Sequence, residues 1–414
     1  HRFHSEPMIK ETELLLQERL PRNLQATTPL SELDNLRPAL ASTDMQRLAM
    51  IDGMPLGPMQ THLLSNGRYS VMLTAQGGGF SKWGSLAITR WHADPARDTG
   101  GTRLWMRDLN TERLTEIGGP LGQRRVEFFE DRALISHQDG KLASTIEVLV
   151  SGEDAAEVRM LTLTSTARLP IMLELTSYAE LVLATPATDA AHPAFARMFV
   201  QTEYLPEYGA LIATRRPRSP DEPRIWTAHV VVAEADQLMA MQYETDRAAF
   251  LGRDNDLAHA AALSRPLNGT SGTVLDPVFA LRHCISIAPG ATARLAYWTL
   301  VADTREALVD LIDRHHDRNA VDRARTLAWT QAQVQLRHLG INTADAGVFQ
   351  ALTGPILVPD ARFRIPGTMI AQSAGKQSVL WSQGVSGDLP IVVMRISEET
   401  DMAAVHEILL AQEY

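Results

Sequence analysis

The sequence predicts a mainly β protein with a helical part: a large antiparallel β-sandwich followed by an α-helical region. Three observations predict this. Between residues 61 and 302, short runs rich in Val, Ile, Thr, Leu and aromatics recur between turn residues at the spacing of sandwich strands. After Ala302 the apolar period changes from 2 to 3.6. Finally, 414 residues with 45% hydrophobic and 21% charged side chains suit two or three domains and exclude both a disordered chain and a fibre.

In chain order, Met8, Ile9, Thr12, Leu15, Leu16, Arg19 and Leu20 keep helical spacing, and Pro21 ends that helix. Residues 22–60 carry Pro29, Pro38, Pro55 and Pro58 with Gly53 and Gly57, which reads as a connector containing one short apolar helical patch over 45–51. Strands are expected over 69–74, 85–90, 103–107, 126–129, 133–137, 143–150, 157–165, 171–183, 210–214, 226–233, 278–287 and 291–301. Glu147, Arg159, Glu174 and Arg294 interrupt apolar neighbours at period two, as on a sheet face that meets water. Asp303 and Glu306 have the spacing of a capping box that opens the helical region. Val321, Ala324, Leu327, Ala328, Gln331, Val334, His338 and Leu339 form a second helix closed by Gly340, and 348–358 and 398–414 read as further helices.

Charge and cysteine usage narrow the function. The net charge of −10 argues against a phosphate-backbone binder, so nucleic acid is not an expected partner. The lone Cys284 has no internal disulfide partner, which suggests a reducing compartment and a packing role in its apolar strand. No run approaches the roughly 20 apolar residues of a membrane span. The chain opens on His1-Arg2-Phe3-His4 without an initiator Met or a signal pattern, as expected of a piece of something longer.

The motifs divide between chemistry and packing. Asn66-Gly67 is a hairpin signal. Gly77-Gly78-Gly79 lacks the Lys-Ser/Thr of a phosphate loop and instead permits close backbone approach to a ligand or a neighbouring domain. Trp83, Trp91 and Trp105, with Arg90, Asp94, Arg97, Asp98 and Asp108, combine flat apolar faces with forked charged groups, a mixture suited to sugar rings and hydroxyls and equally to core packing. Asp189 to Phe195, Glu203 to Glu207 and Arg215 to Pro223 read as polar insertions between strands. His315, His316 and Asp317 have a metal-like composition, but adjacent helix positions do not face one another. No Gly-x-Ser-x-Gly elbow supports a serine nucleophile.

Leu64-Ser-Asn-Gly-Arg-Tyr-Ser-Val-Met72, Gly77-Gly-Gly-Phe-Ser81 and Thr89-Arg-Trp91 closely resemble the region of bacterial cyclic β-1,2-glucan synthases that is related to cellobiose and chitobiose phosphorylases, of the glycosyltransferase family 36 type. Leu175-Thr-Ser-Tyr-Ala-Glu180, His192-Pro-Ala-Phe195, Gln242-Tyr-Glu-Thr-Asp246, Gln335-Leu-Arg-His-Leu339 and Gly384-Val-Ser-Gly-Asp-Leu-Pro-Ile391 resemble the same family, so the likeness runs along the whole chain. After the N-terminal helix and connector of 1–60, the resemblance implies a β-supersandwich over 61–302, a helical linker over 303–345 and the start of an (α/α)6 barrel over 346–414.

It implies a parent enzyme that performs glycosyl transfer or phosphorolysis on β-1,2-glucan. No cofactor is expected, and inorganic phosphate is a co-substrate of the parent. No Asp-Trp-Asn-like acid motif occurs in this chain, so the chain alone is expected to lack the catalytic acid and to be inactive. Asp388 resembles a sugar-contacting aspartate, although the arginine that accompanies it in the phosphorylases has no counterpart beside Ser382 and Gln383. Trp83 and Arg90 are expected to shape the entrance for the glucan. The expected partners are a β-glucan, the remainder of the barrel and a second copy in a homodimer. The expected location is the cytoplasm, in the soluble part of an inner-membrane enzyme.

Two readings of other classes compete. One is a non-catalytic carbohydrate-binding or scaffolding module. The other is an unrelated complete hydrolase, which requires a cleft with two converging carboxylates.

Overall fold

In the computed structural model, residues 47–53, 59–94, 96–98, 100–119, 123–220, 222–233, 239–317, 319–358, 365–372, 375–387 and 389–414 are described. The helix expected over 8–20, most of the 22–60 connector and Asp388 lie outside the described residues. Arg47–Tyr414 forms one unit.

Nineteen described strands build two sheets. They are β1 (Ala49–Asp52), β2 (Thr61–Ser65), β3 (Tyr69–Thr74), β4 (Gly79–Trp83), β5 (Leu86–Thr89), β6 (Arg103–Asp108) and β7 (Leu114–Ile117). There follow β8 (Gln123–Phe128), β9 (Arg132–Asp139), β10 (Leu142–Val150), β11 (Ala156–Ser165), β12 (Ile171–Ala184), β13 (Val200–Leu205) and β14 (Ala210–Arg215). The last are β15 (Trp226–Ala233), β16 (Met239–Asp246), β17 (Gly272–Thr273), β18 (Pro277–Ile287) and β19 (Thr292–Ala302). Ten strands lie in the order β1-β8-β9-β10-β11-β19-β15-β14-β13-β17, and nine in a second sheet ordered β16-β18-β12-β5-β4-β3-β2, with β6 and β7 branching from β12. The long β12 carries this branch: residues 173–178 pair with β6, and after a register shift Leu181 and Ala184 pair with β5.

The helices are α1 (Pro186–Ala191), α2 (Pro193–Arg197), α3 (Arg247–Leu251), α4 (Arg305–His315), α5 (Ala320–Leu339), α6 (Thr343–Leu357), α7 (Gly367–Gln372), α8 (Gln377–Trp381) and α9 (Met402–Glu413). The main core lies between the sheets, where Val71, Leu73, Ile88, Leu161, Leu175, Leu281 and Tyr297 meet. A second core packs α4 and α5 on the outer face of the ten-stranded sheet through Trp298, Leu300, Leu308, Ile312 and Val321. A third covers the other sheet where Trp105, Tyr178 and Phe250 pack together.

Three of the four period-two charges do not meet water. Glu147, Arg159 and Glu174 are buried, whereas Arg294 alone of the four is exposed. Glu147 receives Arg132 Nη1 at 2.8 Å and Arg325 Nη2, from α5, at 2.6 Å. Burial opposes ionisation of Glu147, but these two arginines hold its carboxyl below the usual range. Arg159 faces Glu157 at 3.7 Å inside the sandwich, and Ser81 Oγ donates to Glu157 at 2.8 Å. Glu174 lies between Arg107 and Arg282. A period-two charge therefore marks a face without saying whether a helix covers it.

Other expectations shift locally. The patch at 45–51 is no helix where described: Ala49–Asp52 is a strand paired with β8. Residues 203–207, read as an insertion, belong mostly to β13, whose alternating burial follows Val-Gln-Thr-Glu-Tyr-Leu. Helix α4 is capped by Thr304, whose side chain accepts from Ala307 N, and not by Asp303. Gly340 ends α5 in the left-handed conformation at φ 67°, as the sequence predicts. Helix α6 begins five residues before the expected 348, because Asn342 and Asp345 form a capping box there.

Candidate functional site: a groove along strand β4

Strand β4 sets the geometry by its period of two. Ser81 and Trp83 face inward: Ser81 is buried against Glu157, and Trp83 packs partly buried on the main core. Phe80 and Lys82 therefore fall on the opposite face, both half-buried, with Lys82 Nζ 5.9 Å from the Phe80 ring centre. The Trp91 ring stands 6.0 Å from Phe80 at a tilt of 52°.

Two adjoining cavities share this face. One, of about 500 Å3, is lined among others by Ser70, Phe80, Lys82, Asp131, Gln331 and Phe349. The other, of about 320 Å3, is lined among others by Phe80, Lys82, Arg90, Trp91, His92 and Asp189. Leu357 of α6 borders both, as Phe80 and Lys82 do.

The glycine triplet positions Trp91. A Cβ at Gly79 would stand 1.8 Å from Met72 O, and one at Gly78 would stand 2.0 Å from Asp98 Oδ1. Their absence lets Asp98 close on the turn: it accepts from Gly78 N at 3.1 Å and from Trp91 Nε1 at 3.1 Å, and also from the Thr74 hydroxyl. The close approach foreseen for the triplet is thus made by a loop of the same domain.

Of the three residues singled out from the sequence, Arg90 and Trp83 lie near this groove in different situations. Arg90 is 4% exposed and its donors are committed within the protein. Nε and Nη2 form a fork on Asp189 at 2.9 and 3.0 Å, Nη1 binds Glu180 at 2.9 Å, and Nη2 also reaches Leu181 O at 3.2 Å. Glu180 further accepts from Arg247 Nε at 2.7 Å and Tyr178 Oη at 3.2 Å. Asp276 extends the network to Arg197 at 2.9 Å. Burial opposes the Glu180 charge, yet Arg247 and Arg90 keep its carboxyl below the ordinary range. The network fixes α1 and α2 on β12. Trp83 faces the core, and Trp105 is buried in the third core.

Helix α6 closes the groove by protecting a sheet edge. Gln350 pairs with the backbone of edge strand β2 as another strand would: Leu63 N donates to its Oε1 at 2.8 Å and its Nε2 donates to Leu63 O at 3.0 Å. Gly354 permits this approach, since a Cβ there would stand 2.3 Å from Met59 O.

The remaining motifs are absorbed by packing. His315 Nδ1 donates to Leu311 O and the ring rests edge-on against Trp298, whereas His316 faces Tyr208. Among the described residues no group of three or more His, Cys, Asp and Glu side chains converges as a metal site, and no helix is long and apolar enough to cross a membrane. Arg215 and Arg218 both engage Glu222, while Arg215 and Arg216 lie over Phe199. Phe80, Lys82 and Gln331 were missed as groove residues. The alternation in Gly79-Phe-Ser-Lys-Trp83 carries the signal for the first two, but nothing local points Gln331 toward β4.

Residues 54–318 match the family described as Glycosyl hydrolase 94, supersandwich domain. The chain is 36% identical over 419 residues to the cyclic β-(1,2)-glucan synthase NdvB of Rhizobium meliloti strain 1021, an alignment that covers 100% of this chain and 15% of that protein. Among solved structures, a bacterial glucoamylase complexed with acarbose aligns with a TM-score of 0.43 at 7% identity, over 74% of this chain and 44% of that one. A protein assigned as a kojibiose phosphorylase, from the human microbiome, aligns with a TM-score of 0.44 at 8% identity, over 76% and 42% of the two chains.

Proposed function

We propose that this chain, which belongs to the family of glycosyl hydrolase 94 supersandwich domains, is the sandwich-bearing part of an enzyme that processes β-1,2-glucan by glycosyl transfer or phosphorolysis. The observation that carries the reading is the identity to a cyclic β-(1,2)-glucan synthase along the entire chain. The role proposed for this part is support and substrate guidance, with the proton donor supplied elsewhere. The acids at the groove agree with that role. Glu130 and Asp131 come from a single turn, and a glycosidase pair must flank the bond from two sides.

Arg90 acts in this reading as a positioning residue that holds α1 against β12, and Trp83 backs β4 from the core side. Asp388 is the sugar contact implied by the family likeness. Further helices of an (α/α)6 barrel cover the apolar side chains of α6, Val348, Leu352 and Ile356, which are exposed in this structure.

Titration of the full chain with β-1,2-glucooligosaccharides, followed by tryptophan fluorescence, tests the reading. Saturable quenching that is weaker for β-1,4-linked oligomers of equal length supports it. Equal response to both linkages, or none, counts against it.

A further inference from the structure

We propose that the cavity of about 500 Å3 between β4 and helices α5 and α6 is a binding subsite for an uncharged oligosaccharide, with Lys82 and Gln331 as its hydrogen-bonding contacts and Phe80 as its platform. This rests on the functional reading above and names a subsite within it.

The uncommitted polar groups carry the inference. The Lys82 ammonium makes no hydrogen bond or ion pair with another described residue, its one contact of note being the Phe80 ring. The side chains of Ser70 and Gln331 are likewise without a hydrogen-bond partner among the described residues. Asp131, whose side chain is 1% exposed, also lines the cavity. Its oxygens accept no hydrogen bond, and Arg132 Nε stands at 3.5 Å. These partly exposed groups and the ion-paired Asp131 ring a single cavity beside two aromatic faces, where the hydroxyls of one ligand can reach them together.

The chemistry selects the ligand class. A single ammonium beside two carboxylates, Glu130 and Asp131, does not favour a phosphate-bearing ligand. An amide, a hydroxyl, an ammonium and a carboxylate offer donors and acceptors in the mixture that sugar hydroxyls require. Phe80 and Phe349 supply flat apolar walls for the ring C–H faces. The second cavity continues past Phe80 to Trp91, so a chain of several sugar units has room on both sides of the Phe80–Lys82 divide.

The test titrates the full chain and its Lys82→Met, Gln331→Ala and Phe80→Leu variants with β-1,2-glucooligosaccharide, β-1,4-glucooligosaccharide and inorganic phosphate, by calorimetry. Each of the first two variants is expected to weaken oligosaccharide binding about tenfold, the scale of one hydrogen bond to a charged or buried polar group. Arg218→Ala, at a residue that lines neither cavity, is expected to leave binding unchanged and serves as the control. Thermal midpoints of all variants should match that of the parent chain, which separates lost contacts from lost folding. Oligosaccharide binding that survives both Lys82→Met and Gln331→Ala overturns the subsite while leaving the glucan reading intact. Binding of the β-1,4 oligomer alone, lost in the variants, keeps the subsite and removes the β-1,2 reading. Phosphate binding in place of sugar, or no oligosaccharide binding by the parent chain, overturns the subsite.

Discussion

Arg90 in the sandwich and Val348 on helix α6 occupy opposite physical situations. Arg90 is a charge taken almost wholly out of water and held by two carboxylates and a backbone carbonyl. Val348 is an apolar side chain 61% exposed, with Leu352 and Ile356 uncovered on the same helix. The sandwich has three cores and joins Arg90 and Glu147 into ion-pair networks, whereas the helices beyond Gly340 meet it through the Gln350 clamp, the Gly354 and Gly347 contacts and the Thr343–Glu130 hydrogen bond. Stability is thus concentrated in the sheets, and the helical segment is attached along one edge.

Acid should separate the two regions most. His62, His229 and His283 are buried in the sandwich, and desolvation lowers each ring to a pKa of about 4. Between pH 6.5 and 4 the unfolded chain takes up protons that the folded rings refuse, so folding stability falls as pH falls through this window. The loss from pH 7 to 5 is roughly 2 kcal/mol for each ring, readable as a lower urea midpoint. A midpoint independent of pH over this range would place these rings in water.

Next in size, Arg90→Met leaves Asp189 buried without its cation and Glu180 with Arg247 alone, and should cost about 3–5 kcal/mol in chemical denaturation. A loss under about 1 kcal/mol would mean that Arg90 is a surface group free to meet substrate.

Gly354→Ala attacks the seam instead. Its methyl group meets Met59 O, so α6 must move off β2 at a cost of about 1–3 kcal/mol. Hydrogen exchange at Leu63 N–H should quicken while the β10–β11 ladder stays protected, because only the Gln350 clamp opens. Smallest of all, Leu352→Ser on the uncovered face of α6 should change stability by no more than about 0.5 kcal/mol. A larger loss would show that this face is packed within the chain.

Legibility in the sequence follows the same division. The long sandwich strands were readable because burial on one or both faces leaves a dense apolar run, as in β12 and β19. Short β4, β7 and β13 escaped because four to six residues with polar alternation look like loop. The groove was half legible. The glycine triplet and Trp91 announced a close approach, but the side chains facing the cavity depend on strand parity and on the docking of α5 across the chain. Trp83 drew attention as an aromatic residue, yet its parity with Ser81 turns it to the core. Arg90 drew attention as a charge beside tryptophans, and its partners Glu180 and Asp189 stand 90 and 99 residues away, beyond any local pattern.

In the proposed reading this chain guides a glucan, and its proton donor lies elsewhere. Incubating the 414-residue chain with β-1,2-glucooligosaccharide and inorganic phosphate, and assaying glucose 1-phosphate, tests it most directly. No release above the enzyme-free control is expected, while the same oligosaccharide still quenches tryptophan fluorescence. Release that rises in proportion to the protein added would contradict it.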